Sequence, residues 1–447
     1  MTPINWDAMH AEGIHHLREL LRLDTTNPPG NESRAAAYLA QALASEGIDS
    51  VQVGHAPGRD NLVARLKGRG DAPPLLLMGH TDVVPAEPEH WTHPPFAGEV
   101  ADGYLWGRGA IDMKFMVAME LMTVLTLKRQ GVELARDVIF VAAADEEVSS
   151  AGIRYLAQAH PDLIRAEYAI NEGGGVTQWI AGKPFYTIQV GEKGVCWTRI
   201  HMRGRPGHAA LPLDNNAVSK LARALAGMRP MPQHITPTVR VFLDTVGQSL
   251  NGDGGERLSQ MLEQEQWPEL AQQVLEPEMA AFLYAITHNT AVPTGLKAGY
   301  KTNVIPSTAE ATLDCRFLPG FDPETFLKEL RAAFPEDLAA DMDIEVVQHA
   351  PALEAPFDSP LYRLMKSNIE AMHPGAVAAP YILAGATDAK YVQPLGIRVY
   401  GFAPLRFERG DRVQGVHGHD ERIPLEGFAV GLRTFYETVR EFAMSGA

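Results

Sequence analysis

The spacing of hydrophobic and polar residues predicts that helices and strands alternate in the first part of the chain. Some segments repeat apolar residues with helical periodicity, whereas others are short and almost wholly apolar, which is typical of strands buried on both faces. The predicted helices are 6–23, 32–46, 114–129 and 150–159. The predicted strands are 61–66, 74–79, 137–144 and 167–170. Such alternation is typical of a parallel α/β sheet.

The pattern changes in the middle of the chain. Polar and apolar residues alternate over 195–203 and 308–316, which predicts antiparallel strands with one exposed face. Helices are predicted near 215–228 and 323–334, so this part is similar to an α+β sandwich of the split βαβ, or ferredoxin-like, type. Residues 246–293 are rich in Glu and Gln and helical in pattern, which indicates an insertion in that domain.

Helix and strand alternate again after about residue 351. The elements predicted there are a helix at 359–372, a strand at 396–402 and a final helix at 425–443. We therefore expect residues 1–195 and 351–447 to form one α/β domain. A second, α+β domain over 196–350 is expected to be inserted into it.

The amino-acid composition, net charge and cysteine count exclude several classes of protein. The chain has 447 residues, of which 45% are hydrophobic and 21% charged, as in globular proteins. Its formal net charge of −16 disfavours nucleic acid and anionic membranes as partners. The only cysteines, Cys196 and Cys315, exclude a disulfide scaffold and a Cys-x-x-Cys zinc site.

The sequence also carries an expectation about location. The N-terminal residues lack the basic start and apolar core of a signal peptide. No apolar run approaches the ~20 residues that a membrane span needs. We therefore expect a cytoplasmic protein without a membrane partner.

Polar residues directly follow three of the predicted parallel strands. Ligands of open α/β sheets bind outside the carboxyl ends of the strands, so neighbouring strands would bring these side chains into one crevice. Asp112 lies before the helix predicted at 114–129, and its flanking glycines allow a tight turn toward the same crevice. The strand-end residues are His80, Asp82, Glu146, Glu147 and Glu172.

So many carboxylates in one crevice would repel each other unless a cation neutralised them. Histidine and carboxylate ligands suit zinc or a similar divalent ion, and a carboxylate can bridge two ions. Asp82 is close enough to hold the second ring nitrogen of a metal-bound His80. Of the adjacent Glu146 and Glu147, one could bind metal while the other handles a proton. Each residue alone is typical of a helix cap or a solvated loop, and only the combination favours a metal site.

The motifs resemble those of a known family. They are Met78-Gly-His80-Thr-Asp82-Val-Val-Pro85, Gly107-Arg-Gly-Ala-Ile-Asp112-Met-Lys114 and Asp145-Glu146-Glu147. Together they are similar to the signature of the co-catalytic zinc metallopeptidases that include aminoacylase-1, acetylornithine deacetylase, succinyl-diaminopimelate desuccinylase and carboxypeptidase S. The stretch Asn-Glu-Gly-Gly-Gly at 171–175 is most similar to the deacylases and carboxypeptidase S. The resemblance implies a zinc-peptidase α/β catalytic domain with an inserted lid and dimerisation domain.

The resemblance also implies roles for these residues. His80 and Glu172 would bind one zinc ion, Asp112 would bridge both, and Glu147 would bind the second together with His417. His419 competes with His417 for that place. Glu146 would be the general base and Asp82 the group that orients His80. Cobalt or manganese could replace the two zinc ions.

Further positions in the middle domain and after it match the family. His208 resembles a histidine that reaches into the partner subunit's active site, which implies a homodimer formed through 196–350. Asn303 and Arg316 resemble residues that bind a substrate carboxylate. The stretch Gly385, Ala386 and Thr387 resembles a loop that closes over that carboxylate.

These features predict an enzyme that hydrolyses the amide bond of N-acyl amino acids or short peptides with a free carboxylate. One alternative is a dipeptidase or carboxypeptidase rather than a deacylase, and the insertion at 246–293 leaves the substrate open. Another is a metal-binding scaffold without catalysis, which the presence of Glu146 and of every expected ligand disfavours.

Overall fold

The computed structural model describes residues 3–180, 182–211, 214–249, 255–256, 258, 263, 277–409 and 416–446. The strands, in chain order, are β1 (Ser50–Gly54), β2 (Asp60–Leu66), β3 (Leu75–His80), β4 (Glu99–Ala101), β5 (Tyr104–Trp106), β6 (Val138–Ala143), β7 (Tyr168–Asn171), β8 (Thr177–Ile180), β9 (Lys183–Glu192), β10 (Gly194–Arg203), β11 (Gly207–His208), β12 (Thr290–Ala298), β13 (Val304–Ile305), β14 (Thr308–Phe317), β15 (Met342–Ala350), β16 (Leu353–Glu354), β17 (Val377–Leu383), β18 (Arg398–Gly401) and β19 (Arg422–Pro424).

The α-helices described are Trp6–Arg22, Ser33–Ser45, Lys114–Arg129, Ala151–Ala159, Pro161–Ile164, Ala217–Ala226, Pro237–Ser249, Pro277–Thr287, Pro323–Ala333, Pro360–Met372, Ala389–Val392 and Leu425–Met444. Short 3₁₀ helices cover Pro88–His90, Glu336–Asp341 and Gln393–Leu395. No helix in the described part of the chain has the length and apolar content needed to cross a bilayer.

The chain divides into two compact units. The first consists of Met1–Val190, Ala355–Tyr381 and Thr387–Ala447. The second consists of Gly191–Glu354 and Ile382–Ala386.

The first unit is built on a large mixed sheet. Its strands are hydrogen-bonded in the order β1-β2-β6-β3-β7-β18-β9, and β8 and β17 also pair with β9. The centre is parallel, since β3 pairs in parallel with both β6 and β7, and β18 with β7. The strands β3 and β6 are buried along their whole length, as their continuous apolar runs predict.

The helix Lys114–Arg129 lies in the interior of the first unit. Every residue from Lys114 to Leu127 is buried. This follows from its sequence, because a helix that is hydrophobic on all sides is stable only inside a protein. Its side chains share one apolar core with the helices Trp6–Arg22 and Leu425–Met444. The residue that precedes this helix by two, Asp112, is therefore attached to one of the most buried elements of the unit.

The second unit contains a four-stranded antiparallel sheet in the order β12-β14-β10-β15. Along β14 buried and less buried residues alternate, with Ala311, Leu313 and Phe317 on the covered face. These side chains pack with those of the helices Ala217–Ala226 and Pro323–Ala333. The α/β and α+β classes predicted from the sequence are both confirmed.

Two sequence-based expectations need correction. The main sheet is mixed rather than parallel, because β2 pairs antiparallel with β1 and with β6. The apolar run at 61–66 predicted a strand but carried no information about its direction. The insertion predicted as helical at 246–293 ends in a strand, because Thr290–Ala298 pairs with β14. Much of that insertion lies outside the described residues.

Candidate metal centre

Three neighbouring strands carry candidate ligands to one edge of the main sheet. In the parallel ladder His80 at the end of β3 is paired with Ala143 at the end of β6. On the other side Leu77 of β3 is paired with Ile170 of β7, two residues before Glu172. The chain therefore leaves β3, β6 and β7 at the same edge, as the positions of the strand-end residues predicted.

Two groups of potential metal ligands meet at this edge. The first contains His80, Asp112 and Glu172, and the second contains Asp112, Glu147 and His417. Within each group the ligand atoms lie within 4.8 Å of one another. All five residues belong to the first unit.

Asp112 is common to both groups and faces each with a different oxygen. Its Oδ1 lies 3.1 Å from Nε2 of His80, and its Oδ2 lies 3.2 Å from Nε2 of His417. Glu172 Oε2 lies 3.8 Å from Nε2 of His80. Glu147 Oε2 lies 3.1 Å from Nε2 of His417. This is the arrangement in which one carboxylate can bridge two ions.

The electrostatics of the site favour positive charge. Although burial lowers the pKa of His80, Glu172 and Asp112 raise it well above its ordinary value. Hydrogen bonds to Asp112 and Glu147 raise the pKa of His417 to about 10. The carboxylates thus stabilise a cation at both imidazoles, and a bound divalent ion would meet the same field.

The donor set fits divalent metal ions. Imidazole nitrogens and carboxylate oxygens are the usual ligands of zinc and related ions. The Oε1 of Glu147 is buried and has no hydrogen-bond partner among the described residues, which is costly unless another group satisfies it. An ion beside Glu147 would remove that cost.

The sequence left two histidines in competition for the second group, and the structure separates them. His417 directs Nε2 to Asp112 and Glu147. His419 instead lies 3.5 Å from a carboxylate oxygen of Glu87, and its ring packs against that of His90. His417 is therefore the histidine placed with the candidate ligands.

Asp82 contacts His80, although mainly through its main chain. Nδ1 of His80 lies 3.0 Å from the Asp82 carbonyl oxygen and 3.5 Å from the carboxylate Oδ1. The same carboxylate accepts hydrogen bonds from the backbone N–H groups of Glu146 and Glu147. Asp82 thus connects the end of β3 with the loop that follows β6.

The pKa of Glu146 is shifted by burial and by the charges around it. Burial raises the pKa of Glu146 well above its ordinary value, and the charges of Glu172, Asp388 and Glu147 raise it further. Cations placed in the two groups would act in the opposite direction. A carboxylate with these neighbours can take up a proton and release it again.

The predicted residues of the second unit lie in two places. His208 on β11 pairs with Val304 on β13, next to Asn303. Both His208 and Asn303 are exposed. Arg316 lies on β14, where its guanidinium donates to the carboxylate of Asp314 over 2.7 and 3.1 Å. The structure therefore brings His208 and Asn303 together, whereas Arg316 is already paired.

The stretch predicted to close over a carboxylate is divided between the units. Gly385 and Ala386 belong to the second unit and Thr387 to the first. Thr387 is buried, and its hydroxyl accepts hydrogen bonds from the side chain of Asn171 and the backbone N–H of Ala389. This side chain is therefore hydrogen-bonded to the residue that directly precedes Glu172.

Two residues that form hydrogen bonds near the site were not predicted from the sequence. The side-chain amide of Asn27 donates to Asp82 at 2.8 Å and to Asp145 at 2.9 Å. Arg59 donates to Asp145 and forms two hydrogen bonds with Glu32. No local pattern marks these residues, because their partners are far away in sequence.

Asp388 is the last residue of the stretch that resembles the carboxylate-closing loop, but the sequence assigned it no role of its own. Burial raises the pKa of Asp388 to about 7. Its Oδ1 is buried without a hydrogen-bond partner in the described part of the chain.

Known proteins resemble this chain over most of its length. Human aminoacylase-1 is 28% identical over 418 residues, which cover 91% of this chain and 89% of that protein. A carboxypeptidase S-like protein of Dictyostelium discoideum is 28% identical over 399 residues, which cover 85% of this chain and 74% of the other.

Solved structures share the fold. An M20 family metallo-carboxypeptidase from Sulfolobus solfataricus matches with a TM-score of 0.72 and 19% identity, over 97% of this chain and 100% of the other. Human carnosine dipeptidase 1 matches with a TM-score of 0.69 and 18% identity, over 98% of both chains. The family model described as peptidase family M20/M25/M40 matches residues 76–441. Because this match covers most of the chain, the chain belongs to the M20/M25/M40 peptidase family.

Proposed function

We propose that this protein is a dinuclear metal-dependent hydrolase that cleaves the amide bond of N-acyl amino acids or short peptides with a free carboxylate. The observation that carries the proposal is the position of Asp112, whose two carboxylate oxygens lie 3.1 and 3.2 Å from the imidazoles of two separate ligand groups. A shared carboxylate between paired His and Glu ligands is suited to two ions and to activation of one water.

The proposed ions are zinc, with cobalt or manganese as substitutes. Residues His80, Glu172 and Asp112 would hold one ion, and Asp112, Glu147 and His417 the other. When bound, such ions lower the pKa of a water and polarise a carbonyl oxygen.

The chain's own residues would then move the proton and hold the substrate. Glu146 accepts the proton of the attacking water and passes it to the leaving amine. Asp82 keeps His80 and the backbone of Glu146 in position through the contacts described above. Burial and acidic neighbours favour the protonated form of Glu146, and positive ions in the two ligand groups would favour its charged form, so the same carboxylate could take up a proton and release it again.

Residues of the second unit, together with Thr387 of the first, are proposed to act on the substrate. His208 would stabilise the negative charge that develops on the carbonyl oxygen, and it would do so in the site of a partner subunit. Asn303, Arg316 and the stretch from Gly385 to Thr387 would bind the substrate carboxylate. For this role Arg316 has to engage a carboxylate in addition to, or in place of, Asp314.

The similar proteins supply two candidate substrate classes. Aminoacylase-1 favours deacylation of acyl amino acids. The carboxypeptidase S-like protein, the metallo-carboxypeptidase and carnosine dipeptidase favour cleavage of peptides. A cytoplasmic location and a homodimer remain predictions that accompany this proposal.

A substrate panel tests the proposal. Purified protein with added zinc is incubated with N-acyl amino acids, dipeptides, and versions of both whose carboxylate is converted to an amide. We expect turnover of at least one free-carboxylate class and a strong loss for its amidated version. Protein with Glu146→Gln serves as the inactive control. Equal turnover of the free and amidated substrates would refute the carboxylate requirement, and no turnover of any substrate would refute the proposed activity.

A further inference from the structure

Glu421 is a buried carboxylate that accepts four hydrogen bonds from described residues. It is 0% exposed. One of its oxygens, Oε1, accepts hydrogen bonds from the backbone N–H groups of Ile111 at 2.6 Å and Asp112 at 2.9 Å. The other, Oε2, accepts from the backbone N–H of Gly109 at 3.0 Å and from Arg108 at 2.7 Å. Four donors converge on one side chain, which fixes the loop that carries Asp112.

Arg108 extends this set of contacts to two other segments. One arm of its guanidinium, Nη1, binds Glu421. The other arm, Nη2, donates to the carbonyl oxygen of Gly418 at 2.7 Å and to that of Pro85 at 3.4 Å. Gly418 directly follows His417. Pro85 lies five residues after His80. The pair formed by Arg108 and Glu421 therefore touches the main chain beside ligands of both groups.

The two ligand groups depend on this pair to different extents. His80 and Glu172 are anchored by the buried strands β3 and β7. His417 lies outside any helix or strand, and its side chain is 53% exposed. The described hydrogen bonds that hold the Gly418 carbonyl come from Arg108 alone. Within the second group His417 is thus held less firmly than His80 and Glu172, so this group depends more on the contacts of Arg108 and Glu421.

We propose that Glu421 and Arg108 act together as a positioning clamp that joins the Asp112 loop to the His417 loop and thereby sets the affinity of the second metal ion. The inference rests on the proposed dinuclear function. Neither residue is among the candidate ligands, and neither is assigned a part in the chemical step.

The substitution Glu421→Gln tests the clamp with little change in size. The amide keeps one accepting oxygen for two of the donors and presents an NH₂ group to the other two. The new NH₂ group then faces two N–H donors that have lost their acceptor. The loop has to shift to relieve these unsatisfied contacts. Glu426→Gln is the matched control, since Glu426 lies five positions further along in an exposed place at the start of the last helix.

The measurement is equilibrium dialysis of metal-stripped protein against graded concentrations of free zinc, with zinc per chain determined by elemental analysis. Wild type and Glu426→Gln are expected to bind zinc in two steps. In Glu421→Gln the weaker of the two binding steps should need a free zinc concentration about 10–100-fold higher, the usual effect of removing a group that holds metal ligands in place. The tighter step should shift much less. Excess zinc should restore kcat with little change in KM.

Two results would overturn the inference: both steps unchanged in a folded Glu421→Gln protein, or both shifted equally. If Glu421→Gln does not fold, Arg108→Lys replaces it in the same comparison, because lysine keeps the charge but lacks the second arm that reaches Gly418. Failure of the proposed function would look different. Wild type would then bind zinc in two steps without hydrolysing any substrate of the panel, and the effect on the second step would still be measurable.

Discussion

The backbone N–H of Glu147 donates a hydrogen bond to the carboxylate Oδ2 of Asp82 over 3.1 Å. The neighbouring N–H of Glu146 donates to Oδ1 of the same carboxylate, also at 3.1 Å. The sequence predicted that Asp82 orients His80, and in the structure Nδ1 of His80 lies 3.0 Å from the Asp82 carbonyl oxygen and 3.5 Å from its carboxylate. The carboxylate itself is occupied in aligning the two glutamates. Asp82 thereby connects a candidate metal ligand with the proposed proton acceptor.

We expect Asp82→Asn to lower kcat by about 10–100-fold, the usual cost of removing a group that positions metal ligands. The new amide would direct N–H donors at a backbone N–H or at the Asn27 amide, which now donates to Oδ2. The glutamate loop would lose its alignment. Steady-state kinetics with zinc at saturation measures the effect.

Asp49→Asn is the control for this substitution, because Asp49 is exposed and belongs to no described helix or strand. It should leave kcat unchanged. If Asp82→Asn retained the kcat of wild type, the alignment of the glutamates by Asp82 would have no catalytic importance.

Glu146→Gln should reduce kcat by about 100-fold or more while two metal ions stay bound, because loss of a general base typically costs that much. Glu146 is not in either group of potential ligands, so its amide should not release metal. Elemental analysis and turnover are measured on the same preparation. Loss of metal together with activity would reassign Glu146 as a ligand.

His373 should make the stability of the protein sensitive to acid. It is buried between Tyr186 and Thr434, with ring nitrogens 2.6 and 2.9 Å from their hydroxyl oxygens. Burial, and then the charge of Arg406, lowers the pKa of His373 to about 4. Between that value and its ordinary pKa of 6.5 the unfolded chain binds more protons than the folded one. Stability is therefore complete above the ordinary pKa and is lost as the pH falls toward 4, by at most about 1.4 kcal/mol per pH unit.

Urea unfolding of chelator-treated protein at several pH values between 4.5 and 7 checks this expectation. His373→Gln should show a shallower dependence of the unfolding free energy on pH than wild type. His15→Gln, at an exposed position of the first helix, should follow wild type. Parallel curves for wild type and His373→Gln would contradict the assigned role.

The metal site was predictable where its residues follow strong local patterns. The runs before His80 and Glu147 are continuous and apolar, so hydrophobicity identifies them as buried strands. Their common edge follows only if the strands are parallel neighbours, which the pairing of β3 with β6 shows. The bridging place of Asp112 came from a motif resemblance, since a loop position carries no periodic signal.

Other parts depend on contacts that no local pattern encodes. Asn27 lies in a turn rich in proline and reaches Asp82 and Asp145 across 55 and 118 positions. The direction of β2 is set by its pairing with β6. The formation of a strand at Thr290–Ala298 is set by its pairing with β14. Arg316 has the sequence context of a carboxylate binder, yet Asp314, only two positions away, already pairs with it.

His208 provides a prediction about assembly. If the protein is a homodimer in which His208 serves the neighbouring site, two inactive variants should complement each other. Glu146→Ala and His208→Ala are mixed under conditions that allow subunits to exchange. In each mixed dimer one site would contain both groups intact, so activity should recover to about a quarter of wild type with random reassortment.

The control for this experiment is each variant incubated alone under the same conditions, which should stay inactive. Exchange itself is followed with differently tagged chains. Absence of recovery despite proven exchange would contradict a role of His208 in the neighbouring site. His208 would then act within its own chain or have a structural role.

The most direct measurement of the central claim is a zinc titration of metal-stripped protein, in which amide hydrolysis and bound zinc are recorded on the same samples. The two ligand groups that share Asp112 predict that hydrolysis is absent without metal and reaches its maximum as bound zinc approaches two ions per chain. Cobalt or manganese should restore hydrolysis in the same way. Full hydrolysis by protein that elemental analysis shows to be free of metal would contradict the account.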